Sequence, residues 1–300
     1  MKNIGQGVAH AKVILIGEHA VVYGQPGIAL PFLPLKVNAK VEAHVKDQLH
    51  ASFFSGYMDQ LPDDLLFLWA HIQSLREKLK MPSLSLTIDN QIPTSAGLGS
   101  SAAIASAITQ ACFDWMEQAL TPSELFEWTQ KSEKIVHGNP SGIDALMVQS
   151  NQPYWFAKGK QPKAITMNIP GHFLIVDTGI QGKTQEAIQK VASLYMKNIA
   201  QVHLESIGLM VPLVEEALTH QDVVDLGRLM NQTHYHLQEL NVSHPEVDSL
   251  VNQGISLGAL GGKLTGGGLG GSILFYVPKT DDATKLQQFF QEKQLKVWMM

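Results

Sequence analysis

Three hundred residues are too many for one typical core and predict about two domains, and 45% hydrophobic against 16% charged content gives ample material to build them. A net charge of −5, with no block of like charges, weighs against nucleic acid or an anionic membrane as the main partner. Only two of the 22 basic residues are arginines, Arg76 and Arg228, so a bound anion must rely on lysines, backbone amides or a metal.

The N-terminus has no apolar core of signal-peptide length, and "AKVILIG" (11–17) predicts a first strand ending at Gly17. "KVNAKVEAHVK" (36–46) puts Val37, Ala39, Val41, Ala43 and Val45 on one face, the period of a half-buried strand. Leu65, Trp69, Ile72, Leu75 and Leu79 recur at helical spacing, and "LSLTID" (84–89) predicts another strand. A second helical pattern runs from Ser100 to about Gln118. The lone Cys112 within it excludes an internal disulfide and suits a reducing cytoplasm.

Thr121, Pro122 and Glu124 supply a capping box with proline at the first helical position, opening a helix that "HGNPSG" stops near His137. "HFLIVDTG" (172–179) predicts a strand opening the second half, followed by helical patterns over 183–257. A Gly-rich turn, the strand "SILFYV" (272–277), a helix and a short strand complete the chain. Polar "AKGKQPKA" (157–164) suggests a boundary, giving domains 1–165 and 166–300. The irregular mixture of strands and helices favours an α+β fold over a doubly wound sheet.

"PTSAGLGSSAA" (93–103) carries little side chain between a strand and a helix. Helix N-termini present unpaired N–H groups, and Gly97 and Gly99 permit close backbone approach, so this loop can wrap a phosphate without arginine. A tight turn before a small-residue helix packed on a sheet is the structural alternative. A dinucleotide fingerprint fits poorly, because seven residues separate the strand from Gly97, and Glu117 lies in a helical pattern. "GIQGKT" (179–184) spaces its glycines too closely for a Walker loop, and the protein-kinase motifs are absent.

Pro93-x-x-x-Gly97-Leu98-Gly99-Ser100-Ser101-Ala102 resembles the second motif of the GHMP small-molecule kinases. "KVILIGEHAVVYG" (12–24) is similar to the first motif and "KLTGGGLGG" (263–271) to the third. Ala20-Val21-Val22-Tyr23-Gly24 and "HGNPSGID" (137–144) resemble the mevalonate kinases within that family. Gly267 stands where the third motif usually has alanine, a lost methyl expected to change little.

The resemblance implies a ribosomal-protein-S5-like α+β N-terminal domain, a ferredoxin-like C-terminal domain and an active site in the cleft between. It implies ATP and Mg²⁺, with mevalonate as acceptor and a cytoplasmic location. Phosphomevalonate, homoserine or a sugar remain open as acceptors, as does a non-catalytic sensor on the same scaffold. Homodimers are frequent in the family, and the sequence leaves that open.

By the same resemblance Asp144 is the catalytic aspartate and Lys12 the active-site lysine. Pro93, Ser95, Ala96, Gly97, Leu98, Gly99, Ser100, Ser101 and Ala102 form the nucleotide loop. Ser101 and Glu133 would hold Mg²⁺, with Ser100 as the competing hydroxyl. Glu18, His19, Lys183, Thr184, Gly267 and Gly268 would lie on the acceptor side. Each has a plain structural alternative. Asp144 could close a capping box from Ser141, Lys12 could be a solvent-facing strand lysine, and Glu133 an exposed helical glutamate.

Overall fold

The computed structural model of the chain describes every residue except Ser95 and Asn139, and every other side chain except that of His137. Two compact units emerge, one of Met1–Ala11, Leu35–Ile92 and Gly99–Ser150, the other of Lys12–Pro34, Pro93–Leu98 and Asn151–Met300. Two long strands, β1 (Ile4–Ile16) and β2 (Gly27–Ala43), contribute residues to both.

In the first unit, β2 is followed by β3 (Gln48–Ala51), β4 (Phe54–Tyr57), α1 (Leu66–Leu79) and β5 (Leu84–Asn90). Helices α2 (Ser100–Trp115), α3 (Pro122–His137) and α4 (Ile143–Met147) complete it. β5 pairs antiparallel with β2 and parallel with β3, which forms a hairpin with β4. The alternation of β2 sets its faces: Val37, Ala39 and Val41 are buried, while Lys36, Lys40 and Glu42 are exposed. The pattern stops there, because the strand ends at Ala43 and Val45 is 94% exposed.

The small residues of α2 have a packing reason. A Cβ at Gly5 would lie 2.2 Å from the Ala111 carbonyl oxygen, and one at Gly7 2.1 Å from that of Ala107. Strand backbone therefore rests directly on helix backbone, at a density that leaves no room for a methyl. α3 begins as its residues dictate: Thr121 Oγ1 accepts from the Glu124 N–H at 3.2 Å, and Glu124 Oε2 accepts from the Thr121 N–H at 3.0 Å. Such a cap stabilises a helix by about 1 kcal/mol.

In the second unit, the N-terminal half of β2 pairs with β6 (Tyr154–Phe156), which pairs with β7 (Lys163–Ala164). There follow β8 (His172–Asp177) and four helices, α5 (Thr184–Met196), α6 (Ala200–His220), α7 (Val223–Glu239) and α8 (Pro245–Ser256). Then come β9 (Gly261–Thr265), β10 (Ser272–Val277), α9 (Thr280–Glu292) and β11 (Lys296–Met299). The four strands lie in the order β11-β8-β10-β9, every pair antiparallel, which is the ferredoxin-like arrangement.

β10 is central and buried along its length, as its unbroken apolar run requires. Its Phe275 ring occupies space kept open by Gly254 and Gly262, where a Cβ would come within 2.2 and 2.8 Å of the ring.

β1 and β2 begin earlier than their patterns announce, and the β3–β4 hairpin is unannounced. β9 lies where the sequence suggests only a Gly-rich turn, because Gly261 and Gly262 carry no side chain to signal a strand. Cys112 is buried, which pushes its thiol up to about 12. Among the described residues, no helix is long and apolar enough to cross a membrane.

Candidate active site

In the first unit, Gly99 is the N-cap of α2 at φ +77°, and no side chain among the described residues caps the helix. The first N–H groups of a helix have no intrahelical acceptor, so this end of α2 offers donors and a positive dipole to an anion. The Asn90 side-chain amide donates to Ser100 Oγ at 3.2 Å. Ser101 Oγ donates to Glu133 Oε1 at 2.5 Å, and Glu133 is only 2% exposed. Glu133 is thus no surface glutamate, and Ser101 rather than Ser100 meets it.

Ser101 and Glu133 are hard oxygen donors of the kind Mg²⁺ takes, and Mg²⁺ habitually keeps several waters. No group of three or more His, Cys, Asp or Glu forms a metal cluster among the described residues. Two such donors fit a cation that keeps several waters.

Asp144 lies in the first turn of α4 and is half-buried. The capping box expected from Ser141 is not formed. Gly142 is the N-cap, at φ +87°, without a side-chain hydrogen bond, and Ser141 Oγ instead accepts from the Ile143 N–H at 3.4 Å. Gly142 takes a left-handed conformation that displaces the serine from the cap position, so Asp144 is not the closing member of a box.

In the second unit, the three glycine-bearing motifs meet through backbone. Lys12 is 6% exposed, contrary to a solvent-facing strand lysine, and its N–H donates to the Leu98 carbonyl at 3.0 Å. Gly97, at φ +75°, touches the third motif: a Cβ there would sit 2.7 Å from Gly266 Cα. A cavity of about 200 Å³ lies nearby, lined by Thr94, Ala96, Asp177, Gly179, Ile180, Gln181 and Gly271. Pro93 is half-buried, Ala96 and Leu98 are buried, and Ala102 is buried in α2 of the first unit. Ser95 lies outside the described residues.

Beyond Gly17, His19 takes φ +59°, uncommon for a residue with a side chain. Its Nε2–H donates to the Gly267 carbonyl at 3.1 Å, which leaves Nδ1 with the lone pair. Burial lowers its pKa to about 4, so the ring is neutral at pH 7. Lys183 is exposed; its N–H donates to the Gly268 carbonyl at 3.2 Å as α5 begins, and Thr184 opens that helix.

The missing methyl at Gly267 is not neutral here. An alanine Cβ would fall 2.0 Å from Thr184 Oγ1. Gly268, at φ +88°, likewise admits no Cβ, which would lie 2.5 Å from the Val242 carbonyl oxygen.

The sequence reading missed Lys263. It is fully buried, and its ammonium donates to Glu18 Oε1, to the Leu264 carbonyl at 2.8 Å and to the Ile14 carbonyl at 3.4 Å. Burial raises the Glu18 pKa and lowers that of Lys263, and each partner opposes the shift of the other. Only the lysine opening "KLTGGGLGG" beside a buried glutamate in the first motif hinted at this pair, and nothing in spacing joins residues 245 apart.

Known proteins place the chain. The models "GHMP kinases N terminal domain" and "GHMP kinases C terminal" match residues 67–150 and 214–296. The mevalonate kinase of Pyrococcus abyssi is 31% identical, the match spanning 90% of this chain and 88% of that protein. That of Mus musculus is 28% identical, over 92% and 87%.

Among solved structures, the mevalonate kinase of methicillin-resistant Staphylococcus aureus superposes with a TM-score of 0.79 at 31% identity, over 100% of this chain and 99% of that one. The L. major mevalonate kinase in complex with R-mevalonate gives 0.85 at 25%, over 100% and 97%. The chain belongs to the GHMP kinase family, among its mevalonate kinases.

Proposed function

We propose that this chain transfers the γ-phosphoryl group of ATP to the 5-hydroxyl of mevalonate, making 5-phosphomevalonate for isoprenoid synthesis. The observation that carries the reading is the hydrogen bond between half-buried Ser101 and buried Glu133 at the head of α2, whose N-cap is a glycine. It joins an anion-binding helix end to two hard donors, as a metal-bound nucleotide phosphate requires. Mevalonate as acceptor is supported by relatives named mevalonate kinases, including the L. major protein solved with R-mevalonate.

Phosphoryl transfer asks mostly for positioning and charge neutralisation. The amides of the 93–102 loop and of α2 would hold the phosphates, and Ser101 and Glu133 would hold Mg²⁺. When bound, that ion neutralises charge on the phosphate oxygens. Asp144 accepts the hydroxyl proton, which in a loose transition state leaves late. Lys12 stabilises negative charge on the attacking oxygen. Glu18, His19, Lys183 and Thr184 shape the acceptor side, framed by Gly267 and Gly268. Residues 1–165 and 166–300 would be the functional domains, and the single buried cysteine is in keeping with a reducing cytoplasm.

The test is ADP release by the purified protein with ATP, Mg²⁺ and mevalonate, the product identified by mass. Mevalonate-dependent ADP release that vanishes on chelation is expected. ADP release independent of mevalonate would contradict the reading.

A further inference from the structure

The Glu18–Lys263 pair is costly. Both side chains are essentially excluded from water, and Glu18 Oε2 is buried with no hydrogen-bond partner among the described residues. Taking two charges out of water costs several kcal/mol for each ion, and a buried pair often contributes no more stability than well-packed apolar groups would. A pair left half-satisfied on its acidic side is therefore a poor device for stability alone.

Its geometry suggests another use. All three ammonium hydrogens of Lys263 are spoken for: the carboxylate of Glu18, the carbonyl of Ile14 near the end of β1, and the carbonyl of Leu264. Thr265 Oγ1 also donates to the Ile14 carbonyl, at 3.1 Å. The strand bearing Lys263 is itself anchored from behind. The Leu264 N–H donates to His234 Nδ1 at 3.3 Å, and His234 Nε2 faces Asp248 Oδ1 at 3.1 Å.

Directly after Glu18 comes His19 at φ +59° and ψ −39°, a sparsely populated backbone state that costs of order 1–3 kcal/mol and persists only where its surroundings hold it. The surroundings do so from both sides. Lys263 grips the residue before, and the Gly267 carbonyl takes the imidazole N–H. Both grips come from "KLTGGGLGG".

We propose that Lys263 is a positioning residue for the acceptor: through the Glu18 carboxylate and the end of β1 it fixes the turn that aims His19. The proposal rests on the acceptor-side reading of His19. Lys263 orients the imidazole without touching the reacting atoms, so its loss should be read in acceptor affinity and not in nucleotide affinity.

Wild-type turnover of mevalonate settles the functional reading first, independently of any variant. The pair is then tested with Lys263→Met and with Lys263→Met/Glu18→Gln, each measured for Tm and for KM and kcat with both substrates. The single variant leaves a buried carboxylate unpaired and should lose stability. The double variant removes both charges and should recover a Tm within a few degrees of wild type.

Glu18→Gln alone is the reference for the double variant, because Glu18 itself belongs to the acceptor side. If Lys263 positions the turn, the double variant keeps a mevalonate KM raised at least about tenfold over that reference, an ATP KM within about twofold, and kcat within about threefold. A double variant with the Tm of wild type and the mevalonate KM of that reference makes the pair purely structural and overturns the proposal, as does an equal rise in both KM values. Should that variant not fold, Lys263→Gln/Glu18→Gln, which keeps a neutral hydrogen bond, is read by the same criteria. Failure of both to fold assigns the pair to the fold and likewise overturns the proposal.

Discussion

Asp144 and Glu133 are the residues whose chemistry decides the reading. Asp144 lies in the first turn of α4 without closing a capping box. Asp144→Asn keeps shape and hydrogen bonding; it should melt within a few degrees of wild type yet turn over at least about a hundredfold more slowly, the lower bound for a lost proton acceptor. A loss below about tenfold in kcat would remove Asp144 from the chemistry. Glu133→Gln keeps an oxygen toward Ser101 but removes the charge that would attract a cation. The Mg²⁺ concentration for half-maximal activity should rise several-fold, and an unchanged titration would take Glu133 out of the metal site.

At the scale of elements, the glycines do two jobs. Gly97 and Gly266 let two loops touch backbone to backbone, whereas Gly5 and Gly7 let β1 lie on α2. Gly7→Ala should destabilise by about 1–3 kcal/mol through overpacking, with both KM values preserved in the folded fraction. Gly97→Ala adds strain at a positive φ and pushes on Gly266; its main effect should be a raised ATP KM. Matching effects of the two substitutions on KM would refute this division.

The sequence disclosed what local chemistry dictates. Thr121 and Glu124 announced a cap that forms as expected, and the alternation around Val37 and Val41 announced β2. It disclosed the three motifs for the same reason: their glycines are needed by backbone geometry whatever surrounds them. Long-range pairing was illegible. Nothing near Glu18 says that a lysine far along the chain will meet it, and nothing near Gly267 says that Thr184 occupies the space of the usual methyl.

At the scale of the whole molecule, burial holds three imidazoles, His19, His71 and His234, at pKa values of about 4. Each keeps its ordinary value near 6.5 in the unfolded chain. Between pH 6.5 and 4 the unfolded chain therefore binds more protons, so stability rises with pH and is lost as pH falls through that window. Each such proton contributes about 1.4 kcal/mol per pH unit.

His71 reports this best, since its Nε2 is held by Thr109 Oγ1 at 2.9 Å in the core of the first unit. Denaturant midpoints at pH 7 and pH 5 should fall less in His71→Gln than in wild type. Parallel falls would show that His71 does not contribute.

The central claim is the acceptor. It is tested most directly by kcat/KM for mevalonate, phosphomevalonate, homoserine and galactose under one set of ATP and Mg²⁺ concentrations. The account predicts that mevalonate exceeds each of the others by at least about a hundredfold, roughly 2.7 kcal/mol of transition-state discrimination. Preference for any of the other three would contradict it.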